Sequence, residues 1–95
     1  MNRASYSPAA AADINEIWDY SAGNWGPDQA DRYTDGIRDI CIDLASGTRT
    51  GRQTELRAGL LKHPAGRHMV YYRQTETGID VIRILHQSMD IDRHL

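Results

Sequence analysis

Hydrophobic and polar positions change their rhythm halfway along the chain. In the first half, Ala10, Ile14, Ile17 and Trp18 recur at spacings of four, three and one, with polar residues between them. That spacing predicts an amphipathic helix running to about Ala22. Its start is marked by Ser7, which can cap the first turn, and by Pro8, whose missing N–H costs nothing there. Asp13 and Glu16 are near its positive end, where carboxylates favour the helix dipole. The stretch "GNWGP" then interrupts the pattern and places Trp25 in a link. From Asp28 a second helix carries Ala30, Tyr33, Ile37, Ile40, Cys41 and Leu44 on one face and stops before Gly47. Two amphipathic helices with a short link predict an antiparallel helical hairpin.

After the loop "SGTRTGRQT" the pattern shifts to short runs rich in β-branched and aromatic residues. "ELRAGLLK" is a strand candidate weakened by Gly59, while "RHMVYYRQ" and "IDVIRILHQ" are stronger. "ETG" joins the last two, with Gly where a three-residue hairpin loop needs a left-handed residue. Pairing Tyr72 with Ile82 also sets Val70 opposite Ile84 and Tyr71 opposite Arg83. Val70, Tyr72, Ile82 and Ile84 would then cover the helices, leaving Tyr71, Arg73 and Arg83 on a more open face. With "RASYSP" as a short N-terminal strand, the expected fold is α+β: a strand, the helical hairpin, a three-stranded antiparallel sheet and a short C-terminal tail. Residues 1–95 form one domain.

Size and charge narrow the function. A chain of 95 residues has room for one core, burying somewhat more than ~60% of its unfolded surface. Hydrophobic residues make up 40% of it, but two Trp and five Tyr are all its aromatic bulk. A partner covering apolar surface would therefore help. The net charge of −2 exerts no global pull on nucleic acid or anionic lipid, so any basic patch is local. Neither a signal-peptide core nor an apolar run of about 20 residues is present, and the lone Cys41 excludes an intrachain disulfide. These features lead to the expectation of a cytoplasmic protein with no membrane association.

Most candidate chemistry has a plainer explanation. His63, His68, His86 and His94 with Asp90 and Asp92 match no compact zinc spacing, so no metal or cofactor is expected. Cys41 lies on a core face, where a thiol is inert. Arg57, Arg67, Arg73 and Arg83 are more informative, because four cations in one half of a small sheet are not required for folding. They point to an anionic partner, with Tyr71 opposite Arg83 as a cation–π pair.

With this element order in place, three stretches resemble the ParE toxins: "SPAAAADINEIWDYSAGNWGPDQADRY", "ELRAGLLKHPAGRHMVYYR" and "IDVIRILHQSMDIDRHL". "RILHQ" followed by "MDIDRHL" is the most specific part. The resemblance implies a ParE/RelE-like fold and the toxin half of a type II toxin–antitoxin pair. It further implies DNA gyrase as the target, inhibited by contact without catalysis, and a ParD-like antitoxin as partner in a hetero-oligomer. No direct nucleic-acid contact by the toxin alone is expected. RelE-like ribosome-dependent mRNA endonucleases share the fold, and Arg83 followed by His86 suits them, but Lys62 is the sole lysine and no Tyr follows Tyr72. A non-toxic binding module of the same fold is the third alternative. The expected antitoxin contacts are Trp25, Tyr71, Arg73 and Arg83. The expected target-facing tail is Met89, Asp90, Ile91, Asp92, Arg93 and His94, with Met89 and Ile91 as anchors.

Overall fold

The computed structural model describes residues 2–89 and 91–95, and Asp92 by its backbone only. The order is β1 (Arg3–Tyr6), α1 (Pro8–Trp25), α2 (Pro27–Ser46), β2 (Arg52–Gln53), β3 (Leu61–Ala65), β4 (His68–Thr75), β5 (Gly78–His86) and α3 (Ile91–His94). The strands form one mixed sheet in the order β1-β5-β4-β3-β2. The fold is α+β as expected, but the sheet has five strands, because β1 joins it in parallel beside β5 and the two-residue β2 extends the other edge.

Ser7 ties the first helix to the sheet. Its Oγ accepts from the Ala10 N–H at 3.0 Å, capping α1, and donates to the Ile82 carbonyl at 2.7 Å. The helix runs on through Trp25, three residues past the expected end, since Gly23 and Asn24 remain helical. The break falls at Gly26, whose φ of 90° is open to glycine and whose neighbour Pro27 starts α2 without needing a donor. Trp25 is thus the last residue of a helix rather than part of a link. Trp18 Nε1 donates to Asp31 across the two helices at 2.8 Å.

The helices cover one face of the sheet. Ala10, Ile14 and Ile17 of α1 and Ile37, Cys41 and Leu44 of α2 pack on Val70, Tyr72, Ile79, Val81 and Ile84. The Val70–Ile84 and Tyr71–Arg83 pairs are as expected, but Tyr72 faces Val81, not Ile82. A bulge inserts Ile82 as an extra residue, so Ile82 and Arg83 fall on the same side of the sheet. Ile82 packs with Tyr71 on the opposite face. Thr75 pairs with Gly78, leaving a two-residue turn rather than three. Gly78 is required by its neighbour: a Cβ there would lie 2.0 Å from the Arg3 carbonyl oxygen.

The strand expected in "ELRAGLLK" forms later, at Leu61–Ala65, and contains Pro64. That proline is tolerated because β2 pairs only with Leu61 and Lys62, so β3 is an edge strand at Pro64. The face expected to be open is also covered. Tyr71, 3% exposed, forms a second cluster with Leu60 and Leu85, over which Ile91 and Leu95 of the tail pack. No helix among the described residues is long and apolar enough to cross a membrane.

Candidate functional site

Unequal strand lengths create the principal groove. Strand β1 ends at Tyr6, opposite Val81, whereas β5 continues to His86, so residues 82–86 lack a strand on that side. Asp13 of α1 fills the first gap. Its carboxylate accepts the Ile84 N–H at 2.9 Å, as a neighbouring strand's carbonyl would. The same carboxylate accepts Arg83 Nε at 2.8 Å and Nη2 at 2.9 Å, a two-point pair. Asp13 holds the Arg83 guanidinium pKa above its ordinary value. Beyond Asp13 the space between α1 and β5 stays open as a groove of about 790 Å³.

One wall of this groove is apolar and unusually exposed. Buried Ile17 and the exposed side chains of Tyr20, Trp25 and Met89 all line it. Tyr20 is 66% exposed, Trp25 61% and Met89 45%. Tyr20 and Trp25 meet edge to face with centroids 6.1 Å apart. Large apolar groups gathered at one concavity and left exposed among the described residues have the character of a contact surface rather than of a core.

The closed end is polar. Tyr33 of α2 reaches it, and its hydroxyl accepts the Arg67 N–H at 2.9 Å and lies 2.7 Å from His68 Nδ1. The His68 and His86 rings are edge to face with centroids 5.3 Å apart. Burial lowers the His68 pKa below its ordinary value; His86 lowers it further, and Asp13 opposes them. His86 Nδ1 accepts the Ser88 N–H at 3.1 Å. Arg67, Arg83 and His94 also line the groove, against Asp13 and Glu16. With Asp13 paired to Arg83, Arg67 and Glu16 remain as opposite charges beside the imidazoles of His68, His86 and His94.

The groove brings together Trp25, Arg83, Met89 and His94 from the sequence expectations. Tyr71 and Arg73 lie elsewhere. Tyr71 is buried beneath the tail, and Arg73 Nη1 donates to the Ala58 carbonyl at 3.1 Å, fastening the loop before β3. Arg83 engages Asp13 and, through Nη1, the His94 carbonyl at 3.0 Å, in place of the cation–π pair expected with Tyr71. Ile91 anchors the tail as expected, but Met89 is exposed at the groove rim. Arg93 and His94 are exposed. Asp90, and the side chain of Asp92, lie outside the described residues. Sequence reasoning missed Tyr20, Tyr33, Arg67 and His68 as groove residues. For Tyr20 a signal existed: it follows Ile17 by three, yet it lies beyond the core stripe. Among the described residues no group of three or more potential ligands could hold a metal.

Comparison with known proteins gives a consistent result. Residues 4–91 match the family model described as the ParE toxin of the type II toxin–antitoxin system, parDE. The chain is 46% identical over 91 residues to Toxin ParE1 of Mycobacterium tuberculosis (strain H37Rv), covering 94% of this chain and 93% of that protein. It is 38% identical over 90 residues to Toxin ParE1 of Caulobacter vibrioides, with the same coverage of 94% and 93%. In fold it is similar to a chain of the chromosomal ParDE TA system from P. aeruginosa, with a TM-score of 0.77 and 22% identity over 90% of this chain and 96% of that one.

Proposed function

The chain belongs to the ParE toxin family of type II toxin–antitoxin systems, and from that premise we propose that it inhibits DNA gyrase by protein contact, without catalysis, until a ParD-like antitoxin occupies its groove. The observation that carries the antitoxin half is the clustering of Tyr20, Trp25 and Met89, all exposed, around a groove whose polar lining includes Arg67, Arg83 and three histidines. An amphipathic segment with one apolar and one acidic face fits such a groove. Trp25 and Arg83 are its proposed anchors, as aromatic and arginine side chains usually are. Arg93 and His94 on the α3 turn are the proposed target-facing residues, and toxin and antitoxin form a hetero-oligomer in the cytoplasm.

One observation favours a second reading, an mRNA endonuclease: His68, His86 and Arg83 line the same groove. Two features weigh against it. The Arg83 guanidinium is already engaged by Asp13, and Lys62, on β3, is not among the groove residues. The deciding experiment adds the purified toxin to a gyrase supercoiling reaction and, separately, to translating ribosomes. The reading expects supercoiling to stop, to resume on addition of antitoxin, and mRNA to remain whole. Uninhibited gyrase with ribosome-dependent cuts that vanish in His86→Ala would replace it with the nuclease.

A further inference from the structure

The polar end of the groove contains a group whose wiring is not explained by folding alone. His68 Nδ1 lies 2.7 Å from the Tyr33 hydroxyl, which already accepts the Arg67 N–H. The hydroxyl proton has two places to go: His68 Nδ1, or the Ala65 carbonyl at the longer distance of 3.5 Å. When the hydroxyl proton points to Nδ1 over the shorter distance, Nδ1 accepts and the neutral imidazole carries its proton on Nε2. Rotating the hydroxyl toward Ala65 reverses the bond. Tyr33 can then accept from a protonated Nδ1, so the pair accommodates an imidazolium once the ring has taken a second proton from solvent.

What keeps His68 neutral is its surroundings. The side chain is half-buried beside Tyr33 and His86, with Asp13 acting on it at longer range, and the other titratable and charged groups lining the same groove are Glu16 and Tyr20 from α1, Arg67 from the β3–β4 turn, Arg83 from β5 and His94 from the tail. Asp13 is the carboxylate that favours the charged form, but Arg83 draws on both of its oxygens. His68 therefore lacks a carboxylate of its own. Among the described residues its Nε2 has no hydrogen-bond partner, and the ring lines the groove.

Resting on the proposal that the antitoxin occupies this groove, we infer that His68 Nε2 receives a carboxylate of the antitoxin and that docking draws one proton onto His68. The reasoning is linkage: a ligand that binds the imidazolium more tightly than the imidazole must raise proton occupancy when it binds. The Tyr33 hydroxyl supplies the switch, because it can donate to the neutral ring and accept from the charged one. Toxin and antitoxin then associate more tightly as pH falls through the neutral range.

The test is calorimetric titration of the cognate ParD-like antitoxin into this toxin at several pH values between 6 and 8, with phosphate and Tris compared at pH 7 because their ionisation heats differ. The expected result is proton uptake approaching one per toxin, an affinity that falls up to about tenfold per pH unit as pH rises, and loss of both in His68→Gln. In parallel, NMR of the imidazole nitrogens in unmodified toxin should show His68 neutral when free and doubly protonated when bound, a readout that does not depend on the variant folding. Equal heats in both buffers with a neutral bound His68 would overturn the inference, as would uptake that survives His68→Gln and disappears in His86→Gln. Failure of the docking reading looks different: the antitoxin would bind Trp25→Ala as tightly as the parent.

Discussion

The carboxylate of Asp13 and the guanidinium of Arg83 form a two-point ion pair across 70 residues of sequence, and Asp13 also accepts the Ile84 N–H. This joins α1 to the stretch of β5 that β1 leaves uncovered. Removing the carboxylate strands a backbone donor and a largely buried cation together. Asp13→Ala is expected to cost about 3 kcal/mol, the lower end for a broken buried pair, since the Arg83 side chain keeps 22% exposure. Asp13→Asn, which retains an acceptor for Ile84, should lose less. Urea unfolding of both variants measures the difference.

The tail is part of the second core. Ile91 and Leu95 pack on Leu60, Tyr71 and Leu85, and Arg57 Nη2 donates to the main-chain oxygen of Leu95. Asp, Arg and His fill much of this tail, yet its apolar residues Ile91 and Leu95 close one face of the sheet. Ile91→Ala and Leu95→Ala should each cost about 1 to 2 kcal/mol, below the range for fully buried aliphatics because both are half-exposed. Truncation before Met89 should lower the melting temperature and increase binding of a hydrophobic dye. An unchanged melting temperature would show that the tail does not close that face.

His68 predicts how the free toxin responds to acid. Its pKa in the fold lies below the ordinary value of 6.5 because of burial and His86. The unfolded chain therefore takes up a proton at a higher pH than the folded one. Stability from this group is complete above pH 6.5, declines as pH falls from there, and stops declining once the lowered folded pKa is passed. Thermal melts between pH 7.5 and pH 5 should show the decline in the parent and a shallower one in His68→Gln.

Much of this architecture was written in local pattern. Ser7-Pro8, the apolar stripes of α1 and α2, and the alternation of Val70, Tyr72 and Ile84 each announce their element, because caps and periodicity act within a few residues. The parallel pairing of β1 depends on contacts across more than 70 residues, and the bulge at Ile82 on how β4 and β5 settle against each other. No short window encodes them. The site was legible where it shares helix chemistry, as at Trp25, whose side chain remained exposed although its place moved from a link to a helix end. It was illegible where burial decided. Tyr71 has the alternation of an open-face residue, but Leu60 from the loop before β3 and Ile91 and Leu95 from the tail pack over it. His68 and Tyr33 come from different halves of the chain, 35 residues apart, and only the folded sheet shows them as one unit.

If the groove between α1 and β5 seats the antitoxin, hydrogen exchange measured on the toxin alone and in complex will report it: exchange should slow in Tyr20–Trp25, Arg67–His68 and Ile84–Met89, with the outer edge of β1 unchanged. Protection confined to β1 and the loop of residues 47–60, with those three segments exchanging as in the free toxin, would contradict it.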